Sequence, residues 1–104
     1  MKKNLSGCSV EEAMRILGGR WRLLIISYLI DQPKRFSELR RLMPNISQRM
    51  LTLDLRELEE GGLVKRTVYP TSPIMVTYEL TEDGGKTIPV VEVMKEFGLW
   101  YKQR

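Results

Sequence analysis

A short helix, a tight turn and a longer helix, followed at once by a β-hairpin, predict a mainly α fold with a small β-hairpin wing, that is, a winged helix-turn-helix. Three stretches carry the prediction. Ser37–Leu42 is a short helical segment, Pro44-Asn45-Ile46 is a turn, and Ser47 to about Glu60 is a longer helical segment closed by Gly61-Gly62. Leu63–Tyr69 and Val76–Leu80 then alternate apolar and polar residues on either side of Pro70-Thr71-Ser72-Pro73. The 104 residues suffice for a single domain. It divides into an N-terminal arm and first helix (1–18), the winged-helix core (19–81) and a C-terminal helix (82–104).

Each element has its own signal. Ser9 is expected to cap the first helix, with Glu12 closing a capping box. Ala13, Met14, Ile16 and Leu17 give it an apolar face, and Gly18-Gly19 stops it. The second helix is expected from about Arg20 to Ile30, with Trp21, Leu24, Ile25, Tyr28 and Leu29 at helical spacing, and Asp31-Gln32-Pro33 ends it. It is apolar on most sides, which marks it as the central core helix. Arg35-Phe36 reads as a short extended piece, and Leu39 and Leu42 as the inward residues of the third helix. Ser47 caps the fourth helix, whose buried stripe is Leu51, Leu55 and Leu58. Val64, Arg66 and Val68 alternate with Lys65, Thr67 and Tyr69 along the first hairpin strand, and Val76, Tyr78 and Leu80 with Thr77 and Glu79 along the second. Thr81-Glu82-Asp83 opens the final helix, where the two acids suit the helix dipole. Pro89 is expected to end or kink its first segment. From Val90 onward, Val91, Met94, Phe97 and Tyr101 recur at helical spacing, and Val90, Val93 and Trp100 broaden that face.

Composition narrows the function. Hydrophobic residues make up 42% and charged residues 29%, and the longest apolar run, Leu23–Ile30, is broken by Ser27. That run is far short of the roughly 20 apolar residues that span a bilayer, so no membrane partner is expected. No apolar stretch follows Lys2 and Lys3, so no signal peptide is expected either, and the chain is assigned to the cytoplasm. There is no histidine and one cysteine, Cys8. These counts exclude Ser-His-Asp and Cys-His catalysis, an intrachain disulfide and the usual Cys/His zinc sites. The glycine pairs do not form a phosphate loop, and Glu57, Glu59 and Glu60 read as surface helix charges. The chain is therefore not expected to be an enzyme, nor to need a cofactor or a metal. A net charge of +4 and a pI near 9.4 suit a polyanion.

The helix-turn-helix supplies the polyanion site. In that layout the second helix enters the major groove of double-stranded DNA by its N-terminal part. With Leu51, Leu55 and Leu58 turned inward, the opposite face of the Ser47 helix presents Gln48, Arg49, Thr52 and Arg56. Gln pairs with adenine, Arg with guanine, and Thr with a phosphate or a thymine methyl. The Ser47 hydroxyl and the helix N-terminus suit a phosphate. Arg35 just before the preceding helix, Ser37, Arg40 and Arg41 on it, and Lys65 and Arg66 on the first wing strand, are candidate backbone contacts, which position without specifying. The rival reading is a winged-helix protein–protein interaction module using the same face, and salt-insensitive binding would favour it. The terminal apolar face, Val90, Met94, Phe97, Trp100 and Tyr101, has little core left to cover it in so short a chain. With the first helix it is expected to form a two-fold homodimer interface, so that both ends of the fold are dimerisation helices.

Several runs in this order resemble the HxlR-type winged-helix regulators, relatives of the MarR group. Cys8 followed by Val10-Glu11 is similar to the family's Cys-Pro-Val-Glu opening, with Ser9 in place of Pro. Gly18-Gly19-Arg20-Trp21 with Leu23–Ile26, Arg35–Arg41, Ile46–Thr52, Leu55–Glu59, Val68-Tyr69-Pro70, Tyr78–Thr81 and Gly84 continue the match over nearly the whole chain. The resemblance implies a transcription factor that binds inverted-repeat operators as a homodimer, paired through its terminal helices and reading DNA with the helix from Ser47. Two positions depart from the pattern. Family wings usually carry an arginine near the tip, where this chain has Met75 beside Ile74. Leu53 stands where many members have Gln or Arg, so no base contact is assigned to it. Some members sense oxidants, quinones or aldehydes with a cysteine at the position of Cys8. The resemblance therefore makes Cys8 the candidate redox sensor and an oxidant or small molecule the candidate effector. Lys2, Lys3 and a helix start at Val10 are surroundings that favour an anion.

Overall fold

The computed structural model describes residues 7–104. Lys2 and Lys3, read above as neighbours of Cys8, lie outside the described residues. Five α-helices and three short strands follow one another as α1 (Ser9–Leu17), α2 (Arg22–Leu29), β1 (Lys34–Arg35), α3 (Phe36–Leu42), α4 (Gln48–Glu60), β2 (Val64–Tyr69), β3 (Met75–Leu80) and α5 (Ile88–Gln103), with a 3-10 turn at Gly84–Thr87. The fold is the mainly helical winged helix-turn-helix that the sequence predicts.

The core lies where α2, α3, α4 and the sheet meet. Ile25, Ile26 and Leu29 of α2 pack with Leu39 of α3, Leu51, Leu55 and Leu58 of α4, Val64 of β2 and Val91 of α5. Met43 and Ile46 anchor the turn between α3 and α4, where the Ile46 amide donates to the Met43 carbonyl at 3.2 Å. The wing is the antiparallel pair β2–β3, in the register Val64 opposite Leu80 through Tyr69 opposite Met75. β1 adds a third strand on the far side of β3, with Lys34 opposite Tyr78 and Arg35 opposite Thr77.

Several expectations need correction. Cys8, not Ser9, occupies the N-cap of α1. α2 is shorter than expected, and its inner face uses Ile26 while Leu24 is exposed. A helix packed from several directions has no single stripe, so spacing alone picks the wrong members. In α3 only Leu39 is buried; Leu42 is exposed and Met43 takes the inward place, because the chain leaves helical geometry there. The wing is part of a three-stranded sheet rather than an isolated hairpin. The final helix starts at Ile88, and Pro89 sits in its first turn, where proline costs no hydrogen bond, so it begins the helix instead of kinking it. Thr81 does serve as a cap, of the 3-10 turn: its Oγ1 accepts from the Gly84 amide at 2.9 Å and donates to the Gly62 carbonyl at 2.6 Å. Gly84 is required there, because a Cβ would collide with the Leu63 carbonyl.

Candidate nucleic-acid interface

Both ends of α4 are fixed by local chemistry. At its start Ser47 has extended backbone, and its Oγ accepts the Met50 amide at 3.0 Å. The serine proton remains available to donate outward. At its end the Gly62 amide donates to the Glu59 carbonyl and the Leu63 amide to the Leu58 carbonyl, each at 3.0 Å. This Schellman closure needs the left-handed backbone of Gly62, φ +82°. Held at both ends and buried along Leu51, Leu55 and Leu58, the helix has one rotational setting.

That setting turns Gln48, Arg49, Thr52 and Arg56 to solvent, where they line a single shallow depression with Leu53. Thr52 Oγ1 donates to the Gln48 carbonyl at 2.9 Å, leaving its methyl group and lone pairs outward. Leu53, 44% exposed, is the member that sequence reasoning set aside. Its signal was an apolar residue outside the buried stripe.

The flanking residues fall into separate groups. Arg66 lines a second depression with Thr52, Leu55, Arg56, Glu59 and Tyr78, so β2 extends the α4 face. Lys65 alternates to the opposite side of the strand, in register with Glu79, and is not part of that depression. Arg35 and Ser37 line a third depression, between the start of α3 and the wing loop with the first residues of β3, Thr71 to Val76. The Arg35 amide donates to the Glu38 carboxylate at 2.7 Å, so Glu38 closes the start of α3. Arg40 is half-buried and Arg41 exposed in the last turn of α3. The wing tip is apolar, with Ile74 68% exposed and Met75 half-buried.

Some cations elsewhere in the fold are ion-paired, unlike these. Arg15 pairs with Glu12 at 2.7 Å, Arg22 with Asp54 at 3.1 Å and Lys34 with Asp31 at 3.0 Å. The Lys34 hydrogen bond holds the Asp31 carboxyl below the ordinary carboxylate range. Among the described residues, no carboxylate lies within ion-pairing distance of Arg35, Arg40, Arg41, Arg49, Arg56, Lys65 or Arg66. The face of α4 and its flanks therefore present cations that no carboxylate pairs, although Glu59 shares the depression of Arg56 and Arg66, and such a surface suits a polyanion. The part-buried Arg22–Asp54 pair was missed in the sequence. An acid at position 54, in helical phase with Leu51, Leu55 and Leu58, was the available signal.

The two remaining candidate regions lie on other elements. Cys8 is exposed at the N-terminus of α1. On α5, Val90, Val93, Met94, Phe97, Leu99, Trp100 and Tyr101 are exposed, whereas Val91 belongs to the chain's own core. Phe97 packs on Trp100 and Tyr101 with ring centroids 5.6 and 5.9 Å apart. α1 has no buried residue and exposes Val10 and Met14.

Known proteins share this arrangement. The HTH-type transcriptional regulator YdeP of Bacillus subtilis is 48% identical over 101 residues, 97% of this chain and 79% of YdeP. The redox regulator HypR in its oxidized form superposes with a TM-score of 0.85 at 49% identity, covering 88% of this chain and 94% of HypR. Quinone-bound YodB from B. subtilis gives a TM-score of 0.70 at 40% identity, over 91% of this chain and 97% of YodB. The HxlR-like helix-turn-helix model matches residues 16–104, which include every element from the end of α1 onward. With the fold and the sequence in agreement, the chain belongs to the HxlR-like helix-turn-helix family of DNA-binding transcriptional regulators.

Proposed function

We propose that the chain acts in the cytoplasm as a homodimer that binds inverted-repeat operator DNA, reading bases with α4. The observation that carries this reading is the face of Gln48, Arg49, Thr52 and Arg56, exposed together and without acidic partners on a helix fixed at both ends. Gln48 and Arg49 suit bidentate contacts to adenine and guanine, and Leu53 adds apolar surface of the kind that packs on a thymine methyl. Arg35, Ser37, Arg40, Arg41 and Arg66 take phosphates, with Ser47 at the helix N-terminus. Lys65, on the other side of its strand, takes part only if DNA wraps the wing edge. The aromatic face of α5, with α1, pairs two copies and sets two reading helices about 34 Å apart, one turn of DNA.

The effector is an oxidant or a small electrophile acting at Cys8. The exposure of that thiol supports this, as do relatives that include a redox regulator solved in oxidized form and a regulator solved with quinone bound. Binding to an operator duplex is measured before and after complete modification of Cys8. A change in affinity is expected, and unchanged binding by the fully modified protein removes Cys8 from the mechanism. Across a salt series, DNA affinity should fall steeply, because neutralising phosphates releases counterions. Salt-insensitive association, or no DNA complex at low salt, would instead favour a protein-interaction module.

A further inference from the structure

The inner face of α4 holds a charge for which base reading gives no reason. Asp54 is 6% exposed and lies among Leu51, Leu55 and Leu58. Arg22, the first residue of α2, donates Nε to Asp54 Oδ1 at 3.1 Å and Nη1 to the Ile16 carbonyl at 3.1 Å. The same Nη1 reaches the Arg15 carbonyl at 3.5 Å. Both carbonyls belong to the last turn of α1, so one guanidinium joins α1, α2 and α4.

Stability alone does not explain this arrangement. A buried ion pair is often no better than apolar residues of the same size, because both ions lose their hydration. A cation in the first turn of α2 also opposes that helix's own dipole. It is favourable for α1, whose C-terminal carbonyls need donors, and for α4, whose carboxylate needs a partner. Only a planar fork serves both at once; a lysine ammonium at this place could take one geometry or the other. Asp54 is two residues from both Thr52 and Arg56, so its position fixes theirs on the opposite face.

We propose that Arg22 is a positioning residue that locks the setting of α4 to α1, so that a displacement of α1 is transmitted to the DNA-reading face. The inference rests on α4 being the reading helix. Its test is the double variant Arg22→Met/Asp54→Leu, which removes the link, fills the space with apolar side chains and leaves the net charge unchanged. Two quantities are measured: amide exchange in α1 and α4 without DNA, and the ratio of affinity for a selected operator to that for random duplex.

The double variant is expected to keep its dimer and its random-duplex affinity. Amides in the last turn of α1 should exchange about 10-fold faster, and the operator-to-random ratio should fall about 10-fold, a usual size for coupling between sites. Arg22→Lys should fall between, since it can serve only one of the two partners. Asp54→Asn should lower the ratio in the same direction although it changes the net charge. Should Asp54→Asn fail to fold, the double variant still decides. Wild-type exchange together with a wild-type ratio in the double variant overturns the proposal, as does an equal loss on operator and random DNA. If the wild type shows no sequence preference, α4 is not a reading helix, and the exchange data alone then decide whether Arg22 couples α1 to α4.

Discussion

Arg49 lies in the first turn of α4, exposed and beside Gln48, Thr52 and Arg56, whereas Arg41 lies in the last turn of α3 outside that depression. The two arginines should therefore fail differently. Arg49→Ala should cost about 1–3 kcal/mol on the selected operator and relax the preference at one base pair. Arg41→Ala should weaken binding to all sequences alike and reduce the salt slope by about 1. Titrations of both variants on operator and scrambled duplexes check this, and identical behaviour across sequences would refute the division of roles. At this scale the exposed polar face of α4 was legible in the sequence, because Leu51, Leu55 and Leu58 leave only one face for Gln48, Arg49, Thr52 and Arg56. The Arg22–Asp54 pair was not, because its partners stand 32 positions apart and meet only when α2 packs on α4. Leu24 and Leu42 were misplaced for a related reason: each sits at helical spacing, but tertiary packing chose Ile26 and Met43 instead.

Among the elements, α4 is defined most sharply by local chemistry. The Ser47 cap and the glycine pair at its end are short-range signals, and the structure has both where the sequence puts them. The wing shows the limit of such signals. Its strands and breaker residues were evident, but the pairing of β1 with β3 depends on two residues with no alternation to read. The first turn of α5 was also ambiguous, since a proline inside an apolar pattern suits a helix start as well as a break. The apolar wing tip has a consequence for binding. Met75→Arg restores the cation usual near the tip of family wings and should raise DNA affinity severalfold, while steepening the salt slope by about 1. Unchanged affinity and slope would mean that the wing does not reach the DNA.

For the whole molecule, the proposed assembly rests on the aromatic face of α5. Trp100 is 58% exposed and belongs to a three-ring cluster with Phe97 and Tyr101, a patch that a lone chain leaves in water. Phe97→Glu places a charge in that patch and should yield a folded monomer with weakened binding to an inverted repeat, read by light scattering and duplex titration. A wild-type chain that is monomeric at micromolar concentration would dismiss the two-fold arrangement.

Selection of bound sequences from a random duplex pool tests the central claim most directly. A pair of α4 helices related by a two-fold axis should enrich one pseudo-palindrome, with half-sites centred about 10 base pairs apart and its strongest positions lost in Arg49→Ala. Enrichment of no sequence, or of a motif without two-fold symmetry, would contradict it.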